Sequence, residues 1–304
     1  MKVYVNDAEY QTYIKDYFSN QLTLVNHKSG ADIIISGSMK KTDFHSNLKT
    51  VIVPYTGLDN IDLGALIKYE VKLFNVTVHA KFVAEKAVQL LLALCGNVVT
   101  QHNDLEAGKW RRPHKTQRIP WVSVFNQKVG IYGYGRIGQW IHQLLKPFGV
   151  DVFVIDRGKS YPEVNCVEDL ASLIHHSDII IVAAPLNKDT KHAFDYNHMM
   201  LMKDRYLVNV GRGTIIEEEA VYLALKNNIL KGFASDVWYQ YPKKDGEAFP
   251  SQFPIYTFDN VVLSPHCGGN TTTSSQLMME QVGDHLKAIL KGNFDDAIDV
   301  KKTG

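Results

Sequence analysis

The sequence predicts an α/β fold built on parallel strands, and three observations predict it. Through the middle of the chain, short runs rich in β-branched residues alternate with helical patterns. They lie at Val129–Tyr132, Val152–Ile155, Ile179–Ala183, Tyr206–Val210 and Gly232–Asp236, with a last strand at Asn260–Ser264. Strands that alternate with helices give a parallel sheet covered on both faces. The first of these runs leads into Gly133, Gly135 and Gly138, a G-x-G-x-x-G spacing set between a strand and a helix. Finally, the first third of the chain carries its own strand-like runs, Leu22–Val25, Asp32–Ser36 and Thr50–Val53, joined by polar linkers.

Taken in order, Met1–Asp7 reads as a strand and a turn, not as a leader segment. Val76–Val78 reads as a further strand. A long helix is expected from Phe82 to Val99, with Val83, Ala87, Leu90, Leu91 and Leu94 on one side. Ser274–Leu290 is helical in pattern and reads as the return of the chain to its first domain. Two domains follow. Residues 1–94 with 276–304 form a smaller, discontinuous, flavodoxin-like α/β domain for substrate, and residues 95–275 form a doubly wound, Rossmann-type nucleotide-binding domain. Substrate is expected in the cleft between them, beyond the carboxyl ends of the strands.

Composition narrows the function. Hydrophobic residues make up 45% of the 304 residues, enough for sizeable cores. A formal charge of +1 gives no case for nucleic acid or membrane partners. The longest apolar run, Ala87–Cys95, is broken by Gln89 and too short to span a bilayer. Cys95, Cys166 and Cys267 are far apart, as expected of reduced thiols in a cytoplasmic protein. The histidines are scattered, and His175-His176 lack partners at ligand spacing, so no metal is expected. The basic run Lys109–Arg118 reads as a solvated loop, with a subunit contact as the alternative.

Each part of the glycine motif has a mechanical task. Gly133 permits the tight turn, Gly135 lets a pyrophosphate approach the backbone, and Gly138 lets the helix pack close to the strand. Tyr134, Arg136 and Ile137 fill the loop between them and are expected to bind the cofactor with them. The helix then offers free N–H groups and a partial positive charge to phosphates. Asp156 ends the next strand, 18 residues after Gly138, where an acid bonds the ribose hydroxyls of NAD and repels a 2′-phosphate. Arg157 beside it leaves NADP open, since it can reach such a phosphate.

Three strand ends carry chemistry. Arg212, between Gly211 and Gly213, can hold a carboxylate through two hydrogen bonds; a structural ion pair is the plainer alternative. His266, after Ser264-Pro265 and before Cys267-Gly268, suits a proton donor or acceptor near neutral pH, although such a residue can equally be a packed or surface histidine. Asp236 ends a strand and can bond a nicotinamide carboxamide or cap its loop.

With these residues in view, the chain resembles the D-isomer-specific 2-hydroxyacid dehydrogenases along nearly its whole length. The shared motifs include Gly57-Leu58-Asp59-Asn60-Ile61-Asp62, Val83-Ala84-Glu85, Gly108-Lys109-Trp110 and the glycine fingerprint. They continue through Ala184-Pro185-Leu186 with Thr190, Asn209-Val210-Gly211-Arg212-Gly213, Asp236-Val237-Trp238 and Ser264-Pro265-His266. The resemblance implies that Arg212 binds the substrate carboxylate and polarises the keto group. It implies that His266 gives the carbonyl oxygen its proton, that Asp236 holds the carboxamide, and that the backbone at Thr56 and Gly57 helps hold the carboxylate. Ala184, Pro185, Thr190, Val210, Gly211, His266 and Gly268 are implied to line the cofactor. A homodimer is implied as well, with the segment from Trp110 to Trp121 against the second subunit.

Two departures from the family pattern stand out. A glutamate usually lies five residues after the aspartate of the Asp-Val-Trp position and bonds the histidine; Tyr241 stands there instead. A phenol is neutral at pH 7, so the pKa of His266 is expected to lie below that in a glutamate-bearing relative. Asp245 or Glu247, in the following loop, are candidates to fold back onto His266. The loop before Val83 is also short, Val78-His79-Ala80-Lys81-Phe82, with His79 and Lys81 near substrate or hinge. The expected activity is reduction of a small 2-keto acid to a D-2-hydroxy acid, glyoxylate and hydroxypyruvate first, without the N-terminal extension of formate dehydrogenases or a C-terminal regulatory domain. The alternatives are an NAD(H)-binding sensor or interaction protein with little catalysis, and a formate- or phosphite-type dehydrogenase.

Overall fold

Two parallel sheets organise the chain, which divides into two units: Met1–Ala80 with Asn270–Gly304, and Lys81–Gly269. This computed structural model describes residues 1–110, 121–158, 161–243 and 246–300. The divisions differ from the sequence boundaries at 94/95 and 275/276. The helix after residue 80 buries Ala84, Ala87, Leu91 and Leu94 in the core of the larger sheet and so belongs with it.

The first unit holds β1 (Lys2–Val5), α1 (Ala8–Phe18), β2 (Thr23–Leu24), β3 (Ile33–Ile35), β4 (Thr50–Val53), α2 (Leu63–Lys68) and β5 (Lys72–Asn75). Helix α1 starts where it does because the Asp7 carboxylate accepts from the N–H groups of Glu9 and Tyr10. The strand order β2-β1-β3-β4-β5, all parallel, is the flavodoxin-like order. Ile33 and Ile35 face one core, with Val3, Val5 and residues Val282, Leu286 and Ile289 of the last helix. Ile34, Val51, Val53 and Leu73 face the other. Burial on both faces explains why these strands read as unbroken apolar runs.

The second unit begins one residue into α3 (Ala80–Cys95), which α4 (Val98–Glu106) follows. Its sheet alternates with helices: β6 (Lys128–Tyr132), α5 (Arg136–Leu145), β7 (Asp151–Ile155), β8 (Asn165–Val167), α6 (Leu170–His175) and β9 (Ile179–Val182). Then come α7 (Tyr196–Leu201), β10 (Arg205–Asn209), α8 (Glu218–Lys226), β11 (Leu230–Ser235) and β12 (Val261–Leu263), before α9 (Ser274–Leu290) returns to the first unit. The order is β12-β11-β10-β9-β6-β7-β8, all parallel. Counted from β6, this is the Rossmann order 3-2-1-4-5-6 with one strand added. Ile180 and Val182 enter the core on one face of the sheet, Ile179 and Ile181 the core on the other. The order reverses between β6 and β9, where such sheets open a crevice at their carboxyl ends.

Some expected elements lie elsewhere. The strand near Val76–Val78 runs at Lys72–Asn75 instead, and the N–H groups of Thr77 and Val78 donate to the side chain of Gln281. The single helix from Phe82 to Val99 is two helices, because Asn97 takes a left-handed φ of 53° just after Gly96 and ends the first. Most of the basic run, Arg111–Arg118, lies outside the described residues. Among the described residues, no single helix is long and apolar enough to cross a membrane, and none forms a group of His, Cys, Asp or Glu that could hold a metal ion. All three cysteines are free thiols.

Candidate active site

The glycine loop is shaped by what its glycines touch. At Gly133, φ is +101° and a Cβ would run into the backbone of Ala183 and Ala184 at the end of β9. A Cβ on Gly138 would strike the Gly133 carbonyl and come within 3.1 Å of Ile131. Among the described residues, nothing lies within 4 Å of a Cβ added at Gly135. Two glycines are thus needed for packing, and the third faces open space at the start of α5. Gly135 caps that helix with no side chain, so the cap residue itself supplies no side-chain acceptor to the first-turn N–H groups. These features fit a dinucleotide pyrophosphate.

Asp156 lies exposed just beyond β7. One carboxylate oxygen accepts from the Gly158 N–H at 2.8 Å, which orients the acid. Arg157 is exposed next to it, and its charge reaches Tyr132. At the end of β9, the Thr190 hydroxyl ties down the Ala184–Asn187 turn by donating to the Pro185 carbonyl at 2.7 Å and accepting from the Asn187 N–H at 2.8 Å.

Arg212 is delivered by the turn after β10. The buried amide of Asn209 builds this turn: its oxygen accepts from the Gly211 N–H and its nitrogen donates to the Arg212 carbonyl, each at 3.0 Å. Gly211 is close-packed, since a Cβ there would lie 2.7 Å from the Ala184 carbonyl. The half-buried Arg212 donates through Nη1 to the Gly211 carbonyl at 2.8 Å.

His266 sits after β12 in a left-handed conformation, φ +55°, that a non-glycine residue rarely adopts. Asp236, only 2% exposed, holds this loop. Its Oδ1 accepts from Ser264 Oγ at 2.5 Å and the Cys267 N–H at 3.0 Å, and its Oδ2 from the Gly268 N–H at 2.8 Å. The Trp238 indole adds a bond of 2.8 Å to the Ser264 carbonyl. The His266 ring is accessible at the surface, yet the walls around it withhold enough water to lower its pKa. Arg212 lowers it further, and Asp236 opposes both.

Tyr241 occupies the place beside that ring. Its centroid lies 5.4 Å from that of His266, tilted by 59°. The Tyr241 hydroxyl accepts from the Trp238 N–H at 3.3 Å. Burial raises its pKa, so it stays neutral and brings no charge to the imidazole.

Residues 88–268 match the model of the "D-isomer specific 2-hydroxyacid dehydrogenase, NAD binding domain". A glyoxylate reductase of Thermofilum pendens is 30% identical over 263 residues, covering 84% of this chain and 76% of that protein. The chain belongs to the D-isomer specific 2-hydroxyacid dehydrogenase family. A D-3-phosphoglycerate dehydrogenase of Methanocaldococcus jannaschii is 30% identical over 258 residues, 83% of this dehydrogenase and 47% of that protein. Among solved structures, a protein of Pyrococcus horikoshii OT3 superposes with a TM-score of 0.85 at 26% identity, covering 99% of this chain and 96% of that one. Family membership makes the chain an oxidoreductase of 2-hydroxy acids with a nicotinamide dinucleotide cofactor.

Within the larger unit, the dehydrogenase brings Arg212, Asp236, Tyr241 and His266 into one electrostatic neighbourhood. Glu247 is exposed, and the charges that shift His266 among the described residues are Arg212 and Asp236; Asp245 lies outside those residues. Thr56, in the smaller unit, donates its N–H to His79 Nε2 at 3.3 Å and accepts the Asn75 amide on its carbonyl at 2.9 Å. Sequence reasoning assigned no task to Asn209, Ser264 or Trp238. Asn209 and Ser264 are polar residues at the ends of apolar strands, and such groups are buried only when hydrogen-bonded.

Proposed function

We propose that this dehydrogenase interconverts a small 2-keto acid and the corresponding D-2-hydroxy acid, with Arg212 and His266 as its catalytic pair. The observation that carries the reading is electrostatic: both residues leave strand ends of one sheet, and Arg212 lies close enough to lower the pKa of His266. A guanidinium there grips the substrate carboxylate and draws electron density from the adjacent carbonyl. Protonated His266 gives its proton to the carbonyl oxygen during reduction, and neutral His266 takes it back during oxidation. The nicotinamide, when bound, supplies or accepts the hydride at the same carbon.

Gly133, Gly135 and Gly138 with Arg136 and Ile137 would hold the pyrophosphate, and Asp156 the adenosine ribose, favouring NAD; Arg157 leaves NADP open. Ala184, Pro185, Thr190, Val210 and Gly211 are proposed to line the same strand ends. Asp236 already accepts three protein donors, and an ionised carboxylate has about four acceptor positions, so about one is left for a carboxamide. In the smaller unit, the Thr56–Gly57 backbone is proposed to help hold the carboxylate, which requires Thr56 to exchange its bond to His79.

The glyoxylate reductase among its relatives makes glyoxylate the first candidate substrate, with hydroxypyruvate next. Free thiols fit a cytoplasmic setting. Trp110 and Trp121, 80% and 61% exposed, fit a surface covered in a homodimer. The test is oxidation of NADH and NADPH with glyoxylate, hydroxypyruvate, pyruvate and phenylpyruvate across pH 5 to 8. Turnover with glyoxylate or hydroxypyruvate is expected. No turnover with any of them, alongside measurable NADH binding, would overturn the reading in favour of a nucleotide-sensing protein.

A further inference from the structure

Tyr134, the residue between the first two glycines of the loop, makes a contact that the dinucleotide motif does not require. Its hydroxyl lies 2.6 Å from Nδ1 of His142, two turns along α5. His142 is buried, 8% exposed. The Tyr134 ring meets Tyr161 edge to face, with centroids 4.8 Å apart. Tyr161 lies in the segment after Asp156. The same segment is tied to the end of α5 by Lys146 and Glu163, 2.9 Å apart. Three pieces of the cofactor crevice therefore converge on one tyrosine: the glycine loop, the helix it starts and the loop that follows the ribose acid.

We propose that Tyr134 and His142 form a clasp that fixes the glycine loop on α5 and braces it against Tyr161, setting affinity for the adenosine diphosphate half of the dinucleotide. This rests on the reading that a dinucleotide binds at Gly133–Gly138. Both residues are positioning residues. The charge state of both groups follows from the surroundings. Burial lowers the pKa of His142, with Glu163 opposing and Lys146 adding to the fall. Burial raises that of Tyr134, helped by Glu163 and Tyr161. Both groups stay neutral, so the bond is a neutral one, phenol to Nδ1 or Nδ1–H to phenol oxygen according to the imidazole tautomer. A loop so fixed loses less freedom when phosphate arrives, and that saving appears as affinity. Substrate contacts its own groups and gains nothing from the clasp.

The experiment uses the full chain in four forms beside the wild type: Tyr134→Phe, His142→Ala, the double variant and His142→Gln, whose amide oxygen keeps an acceptor. NADH and ADP-ribose dissociation constants are read by fluorescence, the KM for keto acid by steady-state kinetics, and amide exchange across residues 133–142 by mass spectrometry without ligand. Losing one hydrogen bond predicts NADH and ADP-ribose binding weaker by about three- to tenfold in each of Tyr134→Phe and His142→Ala. The double variant should be no weaker than either, His142→Gln should bind nearly as the wild type does, and the KM for keto acid should not move. Exchange across the loop should speed up in Tyr134→Phe. Wild-type affinity in both single variants, losses that multiply in the double, or unchanged exchange would overturn the clasp. A wild type that fails to bind NADH would sink the dinucleotide reading instead, and the exchange data would still decide the clasp.

Discussion

The turn after β6 and the loop after β12 both leave the carboxyl edge of the same sheet, and both depend on a left-handed residue. At Gly133, with φ +101°, the residue type itself removes the strain. At His266, with φ +55°, the residue proposed as proton donor sits where glycine would fit better. Such a conformation costs about 1–3 kcal/mol and persists only if the surroundings impose it. Here Asp236, Ser264 and Trp238 impose it through buried hydrogen bonds. One loop carries its geometry in its composition, the other in its neighbours.

Replacing His266 tests this contrast most severely. His266→Gly removes the proton donor, so keto-acid reduction should fall by about 10²–10⁴. Denaturant unfolding of the same variant should give a stability higher by about 1 kcal/mol, since glycine relieves the left-handed strain. A less stable variant would show that no strain is stored there. Asp236→Ala should have the opposite profile, losing about 2–3 kcal/mol because the Cys267 and Gly268 N–H groups lose their acceptor.

The glycines divide in the same way. Gly133→Ala should destabilise the chain by about 1–3 kcal/mol, because its Cβ meets the Ala184 backbone. Gly135→Ala should change stability by less than about 0.5 kcal/mol, because its Cβ meets nothing. Calorimetric titration with NADH should nevertheless show it binding about tenfold more weakly or worse, because in the proposed site that Cβ would meet the pyrophosphate. Equal effects at both glycines would contradict the division of tasks. The smallest effect is a shift in pH. Tyr241→Glu places a carboxylate beside His266, which favours the imidazolium and raises its pKa. Reduction should then persist to higher pH than in the wild type. An unchanged profile would remove Tyr241 from the account of this site.

The same contrast explains what could be read from the residues. The glycine loop, the flanking strands and Asp156 were legible because spacing and residue type alone specify them. Arg212, Asp236 and His266 stood out as chemistry at strand ends, but the bonds that hold them did not. Ser264 and Asp236 are 28 positions apart, and no periodicity connects them. The Tyr134–His142 bond is hidden for a related reason, since Tyr134 lies in the loop before α5, where helical spacing does not apply. Strand β8 escaped notice as an edge strand with Asn165 and Cys166 exposed, which gives no apolar run. The break between α3 and α4 lay within a pattern that is helical on both sides and turns on the backbone of Asn97.

The account stands most directly on His266 as the proton donor. The measurement is kcat/KM for glyoxylate reduction by NADH as a function of pH, in the wild type and in His266→Gln. Partial burial and Arg212 disfavour the imidazolium. Reduction needs that protonated form, so the wild-type rate should decline with rising pH, with a midpoint below the ordinary imidazole value of about 6.5. His266→Gln should be slow and lose that transition. A wild-type rate that stays flat across this range, or an identical decline in His266→Gln, would contradict the assignment.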